Sequence, residues 1–150
     1  MNGNFQVVLG LASQGAASGA NVGGGVITSS TGVGTIVTST ATSTSFAGSI
    51  TGANVAFAKS NTSALTLLGA SSNGGEVLVN GGQLLLKDAG SLSGGGSISV
   101  NFGTLTLDNT GLVDSSNRVS DSATIALRGG ALAVLGRVQT QSSEALGAVT

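Results

Sequence analysis

Three copies of one eleven-residue phrase constrain this chain more than anything else in it. They read EVLVNGGQLLL (76–86), SISVNFGTLTL (97–107) and TIALRGGALAV (124–134). Each copy sets two short alternating runs on either side of a polar-glycine break. Inward candidates are Val77, Val79, Leu84 and Leu86, then Ile98, Val100, Leu105 and Leu107, then Ile125, Leu127, Leu132 and Val134. Strict alternation over such short runs marks half-buried β-strands, and the break marks a corner. The copies start 21 and 27 residues apart, in the range of stacked repeats.

A two-strand unit of this size cannot bury its apolar face alone, whereas stacked units can, because each inward Val or Leu lands on its counterpart in the next turn. The expected fold is all-β: a right-handed parallel β-helix, or β-solenoid, with rungs of about 21–27 residues. The alternative is a β-sandwich, which also has short strands and turns but rarely repeats one phrase in register. A left-handed solenoid would need a tight hexapeptide period, and the sequence has none.

Composition agrees with a repeat scaffold. Glycine contributes 26 of the 150 residues, charged residues 7%, aromatics 3%, and there is no His, Cys, Trp, Tyr or Pro. The hydrophobicity comes from Val, Leu, Ile and Ala alternating with Ser, Thr and Gly, and no window approaches the ~18 apolar residues of a spanning helix. A net charge of −1 and few aromatics offer no footprint for nucleic acid. Without cysteine there are no disulfides or thiolate metal sites.

Residues 1–45 read as partial rungs or a cap, and 46–150 as the repeat region of a single solenoid segment. The patch from Phe5 to Ala12 has no preceding Lys or Arg, so it is not read as a secretory signal. Ile27, Ile36, Phe46 and Ile50 are candidate anchors. Thr38, Thr40, Thr42 and Thr44 fall at period two and would share a face in one strand; repeated on successive rungs, such a ladder could bind ice, but it occurs once. ANVAFAKSNTSALTLLG (53–69) reads as a fourth, looser copy, with Val55 and Phe57 in its first strand, Leu65 and Leu67 in its second, and a corner three residues longer. Val55 would align with Val77.

Three segments read as variable loops: GASSNGG (69–75), KDAGSLSGGG (87–96) and DNTGLVDSSNRVSDSA (108–123). In the third, Leu112 and Val113 are expected to pack back onto the stack. The chain ends on an apparent strand, Ala145 to Thr150, with nothing polar to close it. Repeat arrays normally end in a cap, so the sequence reads as part of a longer protein or as one whose end another segment covers. Open ends would also expose strand edges and favour self-association.

Chemistry is scarce. With no His and six carboxylates, only Asp108, Asp114, Arg118 and Asp121 concentrate charge in one loop, and they are the candidate binding residues. The three aspartates are also the only group that could hold calcium or serve a carbohydrate-active β-helix enzyme. A solvated loop is the preferred reading, so no cofactor, metal or catalytic residue is assigned. Gly94-Gly95-Gly96 and Gly129-Gly130 precede strands, not helices, and are corners rather than phosphate cradles.

The order of phrases carries a family likeness. SFAGSITG (45–52), FAKSNTSALTLLGA (57–70) and NGGEVLVNGGQLLLKDAGSLSG (73–94) resemble the passenger-associated β-strand repeat of bacterial autotransporters. The stretches 102–136 and 142–150 are similar to the unit that follows it in many such passengers. The departures are Ser60-Asn61-Thr62-Ser63, where glycines are usual, and Ser71-Ser72-Asn73, where Asn-Thr-Tyr is common. The resemblance implies a β-helical stalk without catalysis of its own, displayed on or secreted from a Gram-negative cell. Its membrane contact would run through a translocator barrel that these residues do not include. It leaves open an adhesin-type module using the 108–121 loop, with an unidentified extracellular partner.

Overall fold

A computed structural model describes residues 1–13 and 24–150 as an all-β parallel solenoid of about four turns. The chain begins with β1 (Phe5–Val8) and β2 (Val26–Ile27), which lie against the first full turn. That turn is β3 (Gly34–Ser39), β4 (Thr44–Phe46) and β5 (Ser49–Gly52), and the next is β6 (Val55–Ser60), β7 (Ala64–Leu67) and β8 (Ala70–Asn73). In the third turn β9 (Val77–Lys87) bends through the glycine corner and covers two faces, and β10 (Ser91–Leu92) covers the last. The fourth turn repeats this with β11 (Ile98–Asp108), and β12 (Ile125–Arg128) and β13 (Ala131–Leu135) follow.

The strands stack in two sheets. One runs β1-β3-β6-β9-β11-β12, with β4, β7 and β13 joining it beyond the corner, and the other runs β2-β5-β8-β10. Every strand pair is parallel and each bonds to its counterpart one turn away. That pairing rules out the β-sandwich, whose sheets are antiparallel.

The register explains the phrase. Val77, Ile98 and Ile125 align in one column, and Leu65, Leu84, Leu105 and Leu132 in another. Val79, Leu84, Leu86, Val100 and Leu105 lose all contact with water. Apolar columns win this arrangement because each buried aliphatic side chain contributes roughly 1.5–3 kcal/mol while the ladder satisfies the backbone. Leu127 and Leu132 remain half-buried and Val134 is 48% exposed. Their strands hold the inward register, but no complete turn among the described residues covers them.

Two of the expected loops conceal the third face. Residues 69–75 contain β8 and residues 87–96 contain β10, and Val119 continues the same line by bridging Leu92. The inward column there runs Ile27, Ile50, Ser71, Leu92 and Val119. Its strands are short, and Ser71 stands where an aliphatic would advertise a strand. Ser71 is fully buried because its Oγ accepts the Ile50 amide at 3.1 Å.

Other expectations change in detail. The stack begins at Gly34, ahead of residue 46, because its inward columns accept Thr38 and Thr44 beside Ile36 and Phe46. The four threonines therefore share no face. Thr38 points inward, Thr40 and Thr42 form the corner and bond each other at 3.2 Å, and Thr44 opens β4. In the looser copy Phe57, not Val55, aligns with Val77, and Lys59 aligns with Val79. That copy gains two strand residues and only one corner residue. A shift of two keeps every side chain on its face, so alternation alone could not detect it. Its corner turns through Asn61, at φ 72, a residue that tolerates this region better than most.

Toward the ends, the patch at Phe5–Val8 forms a partial rung on β3, and Leu11 is buried. Residues 14–23, part of the expected cap, lie outside the described residues. The last segment pairs with β12: Ile125 N–H donates to Ala148 and Thr150 N–H donates back to Ile125. This short pairing covers the edge of β12, where the sequence shows only an unclosed strand.

Candidate functional site

Charge and irregular backbone meet at the corner between the second and third faces. In the third turn this corner is Asp88-Ala89-Gly90. In the fourth it swells to residues 109–118, and Arg118 fills the space beneath. Arg118 is 0% exposed. Its Nε donates to Asn109 Oδ1 at 2.7 Å, Nη1 to the carbonyls of Asp88 and Gly90 at 2.9 Å each, and Nη2 to the Val113 carbonyl at 2.9 Å. The planar guanidinium suits this task, offering five donors in a fixed fork. Burial pushes its pKa down, and the surrounding carboxylates of Asp108, Glu144, Asp88 and Asp114 oppose that shift.

Asp108 sits at the other end of the swelling. It points away from the core yet is buried, because the loop folds over it. Lys87, its neighbour one turn below, approaches at 3.1 Å. Burial alone would raise the Asp108 pKa. The hydroxyl and amide of Thr110 (2.6 and 2.8 Å) and the Lys87 ammonium outweigh burial and hold the carboxyl below its usual range.

Two carboxylates that sequence reasoning passed over complete the arrangement. Asp88 Oδ1 accepts the Leu112 amide at 2.6 Å, tying the loop to the turn below. Glu144 accepts the amides of Arg118 at 3.0 Å and Val119 at 2.8 Å. These amides have no ladder partner above them among the described residues, so the Glu144 carboxylate stands in for the missing strand. Neither role has a local sequence signal, since both partners lie 24 or more residues away.

The four candidate residues thus separate. Asp108 and Arg118 are internal and committed to hydrogen bonds. Asp114 and Asp121 are exposed, and Asp114 Oδ2 accepts from Ser142 at 3.1 Å. Among the described residues, no group of three carboxylates or other ligating side chains comes together to hold a metal ion. Leu112 and Val113 are not packed on the stack as expected. They are 62% and 42% exposed, because Val119 takes the inward position instead.

No family model, curated protein or solved structure matches this chain.

The other buried ion is Lys59, at 1% exposure. It stands in an aliphatic column and turns its Nζ to the carbonyls of Ser60 (3.1 Å), Asn61 (2.7 Å) and Gly81 (3.2 Å). It closes the corner of its own turn and binds that corner to the next. Among the described residues there is also a shallow hollow of about 350 Å³, lined by Gly25, Val26, Ala47, Gly48, Ser49, Gly69 and Ala70. Its lining carries no charge. What these groups do chemically is hold backbone: Lys59, Arg118, Asp108 and Asp88 each bind main-chain groups, and Asp88 keeps Oδ2 buried without a hydrogen-bond partner among the described residues.

Proposed function

We propose that this chain is a structural spacer: a β-helical stalk segment of a surface-displayed or secreted autotransporter passenger, with no catalysis of its own. One observation carries the reading. The buried groups Lys59, Asp108 and Arg118, with the half-buried Glu144, are spent on joining one turn to the next. The family and the cell-surface setting rest on the sequence resemblance described above. Commitment of Asp108 and Arg118 to internal bonds favours the spacer over an adhesive module centred on the 108–121 loop.

A spacer has modular length, which provides the test. Removing residues 57–76 would excise one turn and leave its columns continuous, with Ile36 meeting Val77 and Phe46 meeting Leu86. The shortened protein should keep its β circular dichroism and cooperative unfolding. Inserting four further copies of the same turn should lengthen the particle in small-angle scattering by about 19 Å, four strand spacings. In the parent surface protein, distal activity should survive both changes. Collapse of the shortened chain, or release of sugar ends from polysaccharides by the purified protein, would overturn the reading.

A further inference from the structure

Phe102 breaks the pattern of the corner in which it stands. In the register of the flanking strands, Gly81, at φ 104, lies opposite it one turn below and Gly129, at φ 76, one turn above. Phe102 enters the same region at φ 56, which strains a bulky L-residue. The ring contributes little to the core in return, since the residue is 84% exposed. It lies over Gly129, where a Cβ would come within 2.9 Å of its Cε1. A strained residue that does little for the fold points to function.

The surroundings give the chemistry. Asn101 Nδ2 donates to Asn80 Oδ1 at 2.8 Å, which aligns the two amides on adjacent turns. Asn101 Oδ1 and Asn80 Nδ2 have no partner among the described residues, so the pair keeps both acceptor and donor capacity open. Arg128, in the strand above, is exposed and forms no ion pair among the described residues. An aromatic face, a fixed amide pair and a free guanidinium therefore share one ridge. We propose that this ridge is a carbohydrate contact, where Phe102 stacks on a pyranose ring of an acidic polysaccharide, Asn80 and Asn101 meet its hydroxyls, and Arg128 meets its carboxylate.

Each group has a matching role. The C–H face of a pyranose presents polarised hydrogens to the negative face of an aromatic ring. Vicinal hydroxyls both donate and accept, as the amide pair requires, and a guanidinium binds carboxylate through paired hydrogen bonds. A protein partner fits less well. Protein interfaces need a broad apolar centre, whereas here a single ring is set among Asn and Gly.

The test is an amide chemical-shift titration of the whole chain with three acidic oligosaccharides: oligogalacturonate, oligoalginate and a chondroitin hexasaccharide. At least one should give saturable shifts at residues 80–82, 101–103 and 128–130. F102G should weaken that binding by about tenfold or more, as expected for loss of a central aromatic contact, while F102W retains it. R128Q should reduce binding of the acidic sugar to the level of neutral maltohexaose. F102G should unfold at the same or a higher urea concentration than the parent, because glycine fits φ 56 without strain. Loss of stability in F102G would make the ring a clamp over Gly129 and overturn the proposal. So would undiminished binding in that variant, or no shifts at this corner with any of the three acidic sugars.

Discussion

Lys59 occupies the same inward column as Val79, its ladder partner one turn on. A charged side chain and an aliphatic one thus hold equivalent places in one core. The lysine is tolerated because its stem packs like an aliphatic while its ammonium reaches three carbonyls at the corner. Burial pushes its pKa below the ordinary lysine range.

That depression predicts an alkaline gain in stability. While Lys59 is protonated in both states, the folded protein bears the cost of burying the ammonium. Between its folded pKa and the unfolded value of about 10.4, the folded state gives up the proton first, so stability rises with pH across that window. The chain has no Tyr, Cys or His to confuse the measurement. The urea midpoint should climb toward about pH 10, and K59M should flatten the slope. A level profile in the parent would show that the ammonium keeps its water.

Asp108 predicts the opposite limb. Its folded pKa is held below the unfolded one, so its contribution is present above about pH 4 and is lost as pH falls through the folded value. D108N should make acid unfolding shallower and lower the midpoint at neutral pH, where the ion pair with Lys87 is missing. An identical acid limb in parent and variant would assign the acid response to other carboxylates.

Arg118→Met should release the loop more than the stack. It strips partners from the carbonyls of Asp88, Gly90 and Val113 and from Asn109 Oδ1. The expected loss is on the order of 3 kcal/mol. Hydrogen exchange should quicken at residues 109–119, while β9 and β11 keep most of their protection. Uniform acceleration along the chain would instead make Arg118 a support of the whole solenoid.

Leu105 probes the aliphatic column. It is fully buried between Leu84 and Leu132. L105A should cost about 2–5 kcal/mol by leaving a cavity. L105D should cost more, since it buries a carboxylate without a partner. Thermal unfolding followed by circular dichroism reads both, and a parent-like melt for L105D would refute the inward assignment.

The alternating phrase determined the strands of the first two faces and their aliphatic columns, because period-two burial is written residue by residue. Val77, Ile98 and Ile125 could be matched on paper before their ladder was known. The third face could not, since Ser71 holds its place through one hydrogen bond to the Ile50 amide, and a buried serine looks like a loop serine in sequence. The two-residue shift that sets Phe57 on Val77 was also hidden, because it preserves the facing of every side chain.

The charged loop divides in the same way. Its position and charge were legible from length and composition, and they marked Asp108, Asp114, Arg118 and Asp121 together. Only the tertiary structure decided that Arg118 turns inward and that the loop folds over Asp108, while Asp114 and Asp121 stay in water. Their partners, Asp88, Lys87 and Glu144, arrive from other turns, and a contact between turns depends on how the chain closes on itself. Sequence periodicity thus specified what repeats, and three-dimensional closure decided where each exception to the repeat finds its partner.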